Sequence, residues 1–274
     1  MRKVVGLSHL ERTEHSYYVI SLVLDFLYIL CYPNIKYFFG DFMQERYYTK
    51  YAAAAVLGNL IRTKRENLID GEIFSKSLDE LTDKEIEYIF DVGAKNGIKL
   101  YHFKRSDRHL PRVHKTIGFL KGICFNSLFD VGSGRGVFLL PFLEEFPFIP
   151  VTSVDILDKR VDMLTDISRG GIDMLSVVKA DISADNFPEK SADVVTMLEV
   201  LEHIPNVRAA IAAAVRIARK YVVVTVPSKE DDNPEHIHLL TKSTLTEYFN
   251  SAGAYKLSFD GVPGHLFLIA KVEK

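Results

Sequence analysis

The segment Leu128-Phe-Asp-Val-Gly-Ser-Gly-Arg-Gly136 gathers residue types suited to holding a ligand. Glycines at 132, 134 and 136 let a backbone turn tightly and approach a bound molecule with no Cβ in the way. A helix starting after such a loop also offers its first N–H groups to negative charge. Dinucleotide-binding loops place their third glycine five residues after the first. Here that position is Val137, and the glycine falls one residue earlier, at Gly136. Asp130, just ahead of the loop, would repel a pyrophosphate and would suit the cationic ammonium group of an amino-acid moiety. Asp155 closes a second apolar run, where a carboxylate can accept both hydroxyls of a ribose. Asp181 closes a third, where its side chain and the N–H of Ile182 can meet an adenine edge. Any one of these acids alone reads as a turn or helix-capping residue, whereas the three together with the glycine loop read as a nucleoside pocket.

The elements that must position these residues follow from the spacing of apolar residues. Short, β-branched runs at Ser127–Val131, Val151–Asp155, Met174–Ala180, Asp193–Leu198 and Tyr221–Val226 read as strands buried on both faces. Helical stretches lie between them at Val137–Phe146, Lys159–Ser168 and Val207–Arg219. This alternation predicts a doubly wound parallel sheet, and it puts all three acids at the carboxyl ends of strands, where open α/β sheets bind their ligands. After a helix at Lys242–Ala252, strands at Tyr255–Phe259 and Leu266–Val272 are joined by Gly261-Val-Pro-Gly264, a connection short enough only for an antiparallel hairpin. Upstream the grammar changes. The alanine run within Tyr47–Leu60 favours helix. Thr82 and Glu85 form a capping-box signal for a helix through Ala94, ended by Asn96-Gly97. Ile98–Phe103 suggests a short strand, and Pro111 opens a helix through Lys121. Residues 1–115 therefore read as a mainly helical cap, and residues 116–274 as the ligand-binding domain.

This second region resembles the class I S-adenosylmethionine-dependent methyltransferases. The resemblance lies in Phe129-Asp-Val-Gly-Ser-Gly-Arg-Gly136, in Asp155 and Asp181, and in Met197-Leu-Glu-Val-Leu-Glu-His-Ile-Pro205. It covers about Val113 to Lys274. It implies a Rossmann-like α/β fold with a seven-stranded, mostly parallel sheet and a C-terminal antiparallel hairpin. It also implies S-adenosyl-L-methionine as methyl donor, held by Asp130, Gly132, Ser133, Gly134, Gly136, Asp155, Ile156, Asp181, Ile182 and Glu199. In motif style the chain is nearest to the ubiquinone-pathway O-methyltransferases. An acceptor that is a small molecule or lipid-like, methylated on oxygen, is the reading taken here.

The donor's methyl group is already electrophilic, so the protein must align the acceptor and exclude water. A base is needed when the acceptor carries a proton. Glu199, Glu202 and His203 would share one face if their segment were helical. Such a group could instead hold a divalent cation and ease the ionisation of a bound hydroxyl. The small-RNA 3′-terminal ribose 2′-O-methyltransferases use a similar Glu-x-x-Glu-His element with a later histidine, and this chain has His236 and His238 in Pro234-Glu-His-Ile-His-Leu-Leu-Thr241. Many metal-free relatives share the Leu-Glu-His-Ile-Pro stretch, so no metal is assigned, and His203, His236 and His238 are taken as candidates at the chemistry. A metal-dependent RNA enzyme and a non-catalytic donor-binding module are the rivals.

Composition narrows the setting. The chain has 274 residues, 47% of them hydrophobic and 26% charged, which excludes disorder or coiled coil for the whole. Lysine and arginine total 34 against 36 acids, leaving no chain-wide field for a polyanion. A basic stretch does run from Lys99 to Lys121, but its sparse aromatics, Tyr101 and Phe103, argue against an RNA surface. Most of it reads as a solvated helix face. Two cysteines, Cys31 and Cys124, fit a reducing, cytoplasmic setting. The apolar run Tyr17–Cys31 is only 15 residues long and contains Asp25, too short for a bilayer span. It reads as a buried or lid helix. The tyrosines and phenylalanines of the first fifty residues read as packing, with an aromatic lid over an apolar acceptor or a homodimer surface as the alternatives.

Overall fold

The computed structural model describes residues 48–103, 110–184 and 186–273. Five strands run parallel: β1 (Leu128–Val131), β2 (Val151–Asp155), β3 (Leu175–Lys179), β4 (Ala192–Leu198) and β5 (Ala218–Pro227). β1 is buried at every residue, and Val194, Val195, Met197, Val222, Val223 and Val224 are wholly enclosed. Branched side chains on both faces of a pleat favour the strand and leave its backbone groups no partner but a neighbouring strand. β6 (Lys256–Val262) and β7 (His265–Lys271) form an antiparallel hairpin, and β7 pairs antiparallel with β5. The order is β3-β2-β1-β4-β5-β7-β6. The direction of winding reverses between β1 and β4, which opens a crevice at the carboxyl ends of the strands.

Eight α-helices are described. α1 (Thr49–Arg62), α2 (Gly71–Ser75), α3 (Asp83–Lys95) and α4 (Pro111–Lys121) precede the sheet. α5 (Leu139–Glu145), α6 (Asp158–Arg169), α7 (Val207–Ile217) and α8 (Lys242–Ser251) alternate with its strands. Residues Arg46–Lys274 form one compact unit. α3 opens with the expected capping box, in which Glu85 accepts from the Thr82 N–H at 2.8 Å and Thr82 Oγ1 accepts from the Glu85 N–H at 3.4 Å. α4 starts on Pro111, whose missing N–H costs nothing in a first turn.

α1 packs on α6 through small residues. Ala52, Ala53 and Ala54 are fully buried. A Cβ on Gly58 would lie 1.8 Å from the carbonyl oxygen of Asp166, and one on Gly170 would lie 1.9 Å from that of Ala54. Backbone therefore meets backbone at this crossing, and only glycine fits. Arg62 closes it, donating from Nε to Asp166 Oδ1 at 2.6 Å and from Nη2 to Oδ2 at 3.0 Å.

Two expectations are corrected here. Ile98–Phe103 is not a strand: Leu100–Phe103 is a 3₁₀ turn whose Phe103 side chain is buried. A short apolar run cannot be told from a buried helical turn by periodicity alone. The helix after the glycine loop is shorter than expected, Leu139–Glu145 within the expected Val137–Phe146. The run Tyr17–Cys31, the aromatics up to Tyr47 and the basic residues Lys104, Arg105, Arg108 and His109 lie outside the described residues. Within the described part of the basic stretch, Lys115 pairs with Asp260 and Lys121 with Glu145. Among the described residues no helix is long and apolar enough to cross a membrane.

Candidate active site

A cavity of about 510 Å³ opens where β1, β2, β3 and β4 end. Gly132 and Gly134 line it with left-handed backbones, φ +66° and +57°. At Gly134 an added Cβ would find no atom nearer than the Gly132 carbonyl oxygen at 3.8 Å, so it would project into open space. At Gly132 it would lie 2.6 Å from Val200 Cγ2. One glycine keeps the cavity open and the other lets the loop sit against the turn after β4.

Asp155 fastens the loop from the side. Its Oδ2 accepts the Gly134 N–H at 3.0 Å and its Oδ1 the Leu157 N–H at 2.9 Å. A carboxylate has about four acceptor directions, so two remain for a ligand. Asp181 and Ile182 line the same cavity, as do Ile156, Glu199 and His203. Asp181 Oδ1 also accepts from the Ser183 N–H and hydroxyl, at 2.8 and 2.7 Å, in an Asx turn that fixes its direction.

Asp130 differs from the expectation. It does not line the cavity and is 2% exposed, with Oδ2 accepting from the Ser133 hydroxyl and Oδ1 from the Thr196 hydroxyl, each at 2.6 Å. Ser153 donates to Ser133 Oγ at 2.7 Å and completes a buried chain across β2, the loop, β1 and β4. Burial pushes the Asp130 carboxyl up to about 6, with the Asp155 charge adding to the shift and the two hydroxyls opposing it. Through Ser133 it ties the end of β1 to the glycine loop. Ser133 and Gly136 likewise lie behind the cavity wall, where a Cβ on Gly136 would meet Leu140 Cγ at 2.9 Å.

After β4 the chain does not turn into an α-helix. Glu199 has φ +59°, a conformation that costs a residue with a Cβ roughly 1–2 kcal/mol. Only Leu201–His203 forms a 3₁₀ turn. Glu199 therefore parts from the other two residues expected on its face, while Glu202 and His203 keep a ligand atom each within 4.8 Å of the other. Glu199 turns to Thr225, whose hydroxyl donates at 2.8 Å, and to His265, whose Nε2 is 2.8 Å away. Glu202 is fully buried and neither of its carboxylate oxygens has a hydrogen-bond partner. Burial, with the charges of Glu199 and Asp231, pushes it up to about 8. His203 and His236 meet with ring centroids 4.8 Å apart. His203 Nδ1 faces the Glu235 carbonyl at 2.9 Å, and His236 Nδ1 faces Asp231 Oδ1 at 2.9 Å. His238 is set apart from this pair, its Nε2 3.1 Å from the Ile204 carbonyl.

A second cavity, about 270 Å³, lies under the loop after β5 and is lined by Lys229, Glu230, Asp231, His236 and His238 among others. His203 belongs to the wall of the first cavity and His236 to that of the second, so the two cavities adjoin at this pair of rings. Several lining residues were not singled out from sequence. Arg160, in the first turn of α6, and Glu235 line the larger cavity. Arg160 stands five residues after Asp155, a position predictable from the strand–helix junction. Asp231, by contrast, gives no signal in a run of acids.

The family described as a methyltransferase domain matches residues 75–258, a span that includes every one of these strand-end residues. The chain belongs to that family. It is an S-adenosylmethionine-dependent methyltransferase of the class I, Rossmann-like kind. Solved structures with the same fold include the complex between the Haloferax volcanii Trm112 methyltransferase activator and a methyltransferase, at 15% identity and a TM-score of 0.51, covering 62% of this chain and 92% of that one. A methyltransferase from Aquifex aeolicus is 18% identical with a TM-score of 0.49, covering 62% of this chain and 93% of that one. One from Archaeoglobus fulgidus is 19% identical with a TM-score of 0.48, covering 58% and 91%. No curated protein matches this methyltransferase at a significant level.

Proposed function

We propose that this methyltransferase methylates an oxygen of a small, polar acceptor that lies in the cavity under the loop after β5. The donor belongs in the larger cavity, and the residues fit it in kind. Gly134 leaves a cradle that a Cβ would fill, Asp155 keeps two acceptor directions for a ribose diol, and Asp181 with the Ile182 N–H suits an adenine edge. Ile156, 59% exposed at the rim, offers an apolar face to the base. Glu199 adds negative charge where the donor is cationic. S-adenosylmethionine, when bound, supplies a methyl group on a positively charged sulfur, activated without further help.

What remains for the protein is alignment and a proton. The observation that carries the reading is the His203–His236 pair at the junction of the two cavities. The Glu235 carbonyl can only accept, so His203 Nδ1 carries a proton there, and in the neutral ring the lone pair is on Nε2. That nitrogen can take the proton of an acceptor hydroxyl as the methyl group arrives. Asp231 orients His236 in the same manner. Lys229, Glu230 and Asp231 give the acceptor cavity a polar wall, which favours a hydroxylated small molecule over a lipid.

The test is methyl transfer from labelled donor into separated small-molecule, lipid and RNA fractions of cell extract. Label should enter the small-molecule fraction, and His203→Ala should lower the rate about 10²–10⁴-fold. Label confined to RNA or lipid, or an unchanged rate in the variant, would overturn the proposal. A second reading has its own support. One ligand atom each from Glu202, His203 and His236 lie within 4.8 Å of one another, and Glu202 is an enclosed carboxylate with no partner. A divalent cation held there would serve a metal-dependent transfer, such as one to an RNA ribose. Activity abolished by chelation and restored by added Mg²⁺ or Mn²⁺ would select it over the metal-free route.

A further inference from the structure

The C-terminal hairpin touches Glu199, on the wall of the larger cavity, through one residue. His265 is the first residue of β7 and pairs in register with Pro227 at the end of β5. Its ring stands between two acceptors. Nε2 is 2.8 Å from Glu199 Oε2, and Nδ1 is 2.9 Å from the Pro263 carbonyl. The ring is thus held at both nitrogens, one against the Glu199 carboxylate and one against the hairpin backbone. The base of this support is rigid. Gly264 turns the hairpin at φ +82°, and its carbonyl accepts the Ser228 N–H at 3.0 Å. Thr225, wholly buried, donates to the other Glu199 oxygen and accepts the Glu199 N–H at 3.0 Å through its carbonyl. Glu199 needs such support because its left-handed backbone sets the side chain on a turn with no helix to steady it.

We infer that His265 is a positioning residue, holding the Glu199 carboxylate in one orientation on the wall of the donor cavity. The hairpin, the part of this sheet that departs from a fully parallel one, thereby takes part in donor binding. The inference rests on the reading of Glu199 as a donor-binding residue.

The experiment is calorimetric titration of the full chain with S-adenosylmethionine, for His265→Ala, His265→Gln, Glu199→Ala and the double variant H265A/E199A. A hydrogen bond to a charged group contributes enough for roughly a tenfold loss or more when removed. His265→Ala should weaken binding by about that factor. His265→Gln, whose amide still donates toward the carboxylate, should recover most of it. In the Glu199→Ala background, His265→Ala should cost nothing further. Three results overturn the inference. If Glu199→Ala weakens binding and His265→Ala does not, the positioning role alone fails. If His265→Ala costs the same with and without Glu199, the histidine acts through the fold. If Glu199→Ala leaves binding unchanged, the underlying reading of Glu199 fails and takes the inference with it.

Discussion

Asp130 is a buried carboxyl that ties the glycine loop to β4 through Ser133 and Thr196. Its carboxyl is enclosed by Ser133 and Thr196 and keeps its proton up to about pH 6, whereas an exposed aspartate loses it near 3.8. The folded state thus binds the extra proton between those two values, and stability falls as pH rises through that window. By pH 7 the loss attributable to this group is on the order of 3 kcal/mol. Asp130→Asn keeps the shape and has no charge to bury, so it should remove this part of the slope. Urea midpoints at pH 4.5 and 7 compare the two proteins, and equal slopes would contradict the assignment. The acid was legible in the sequence as part of a strand-end motif, but its role was not. Its partner Thr196 stands 66 residues away on β4, and no local pattern tells a ligand from a buried anchor. Asp155 and Asp181 were easier to read, because a carboxylate that closes an open strand end lies at the crevice wherever the strand itself is correct.

At the level of elements, strand positions were read closely because burial on both faces imposes continuous apolar runs. The errors fall where the chain leaves regular structure. Ile98–Phe103 became a 3₁₀ turn, and Glu199 to His203 did not form the expected helical face. Tertiary partners decide such segments: Thr225 and His265 capture Glu199, while Glu235 and His236 capture His203. The crossing of α1 and α6 was equally invisible, since an alanine run announces a helix but not what it packs against. Its glycines give a sharp prediction. Gly58→Ala or Gly170→Ala drives a Cβ into backbone at 1.8 and 1.9 Å, and each should cost about 2–4 kcal/mol in chemical denaturation. Gly118, inside α4 with nothing within 4 Å of an added Cβ, is the control. Gly118→Ala should stabilise by up to about 1 kcal/mol. Similar destabilisation by all three would mean that α1 and α6 do not meet as described.

Among the described residues, two adjoining cavities lie by the carboxyl ends of the strands, near the point where the sheet reverses its winding. The strand ends line one cavity with carboxylates, and the loop after β5 lines a polar one beside it. Asp155, Asp181 and Glu199 on the wall of the first cavity are each already fixed by hydrogen bonds to neighbouring residues. Binding should therefore stabilise the folded chain with little rearrangement. S-adenosylmethionine at a hundred times its dissociation constant should add about 2.7 kcal/mol and raise the melting temperature accordingly. The central claim is that the cavity at the ends of β1 to β4 holds this donor, with Asp155 as its ribose acceptor. Calorimetric titration of the wild type and Asp155→Ala with S-adenosylmethionine tests it most directly. The account predicts micromolar-range binding by the wild type and its loss in the variant; equal binding by the two proteins would contradict it.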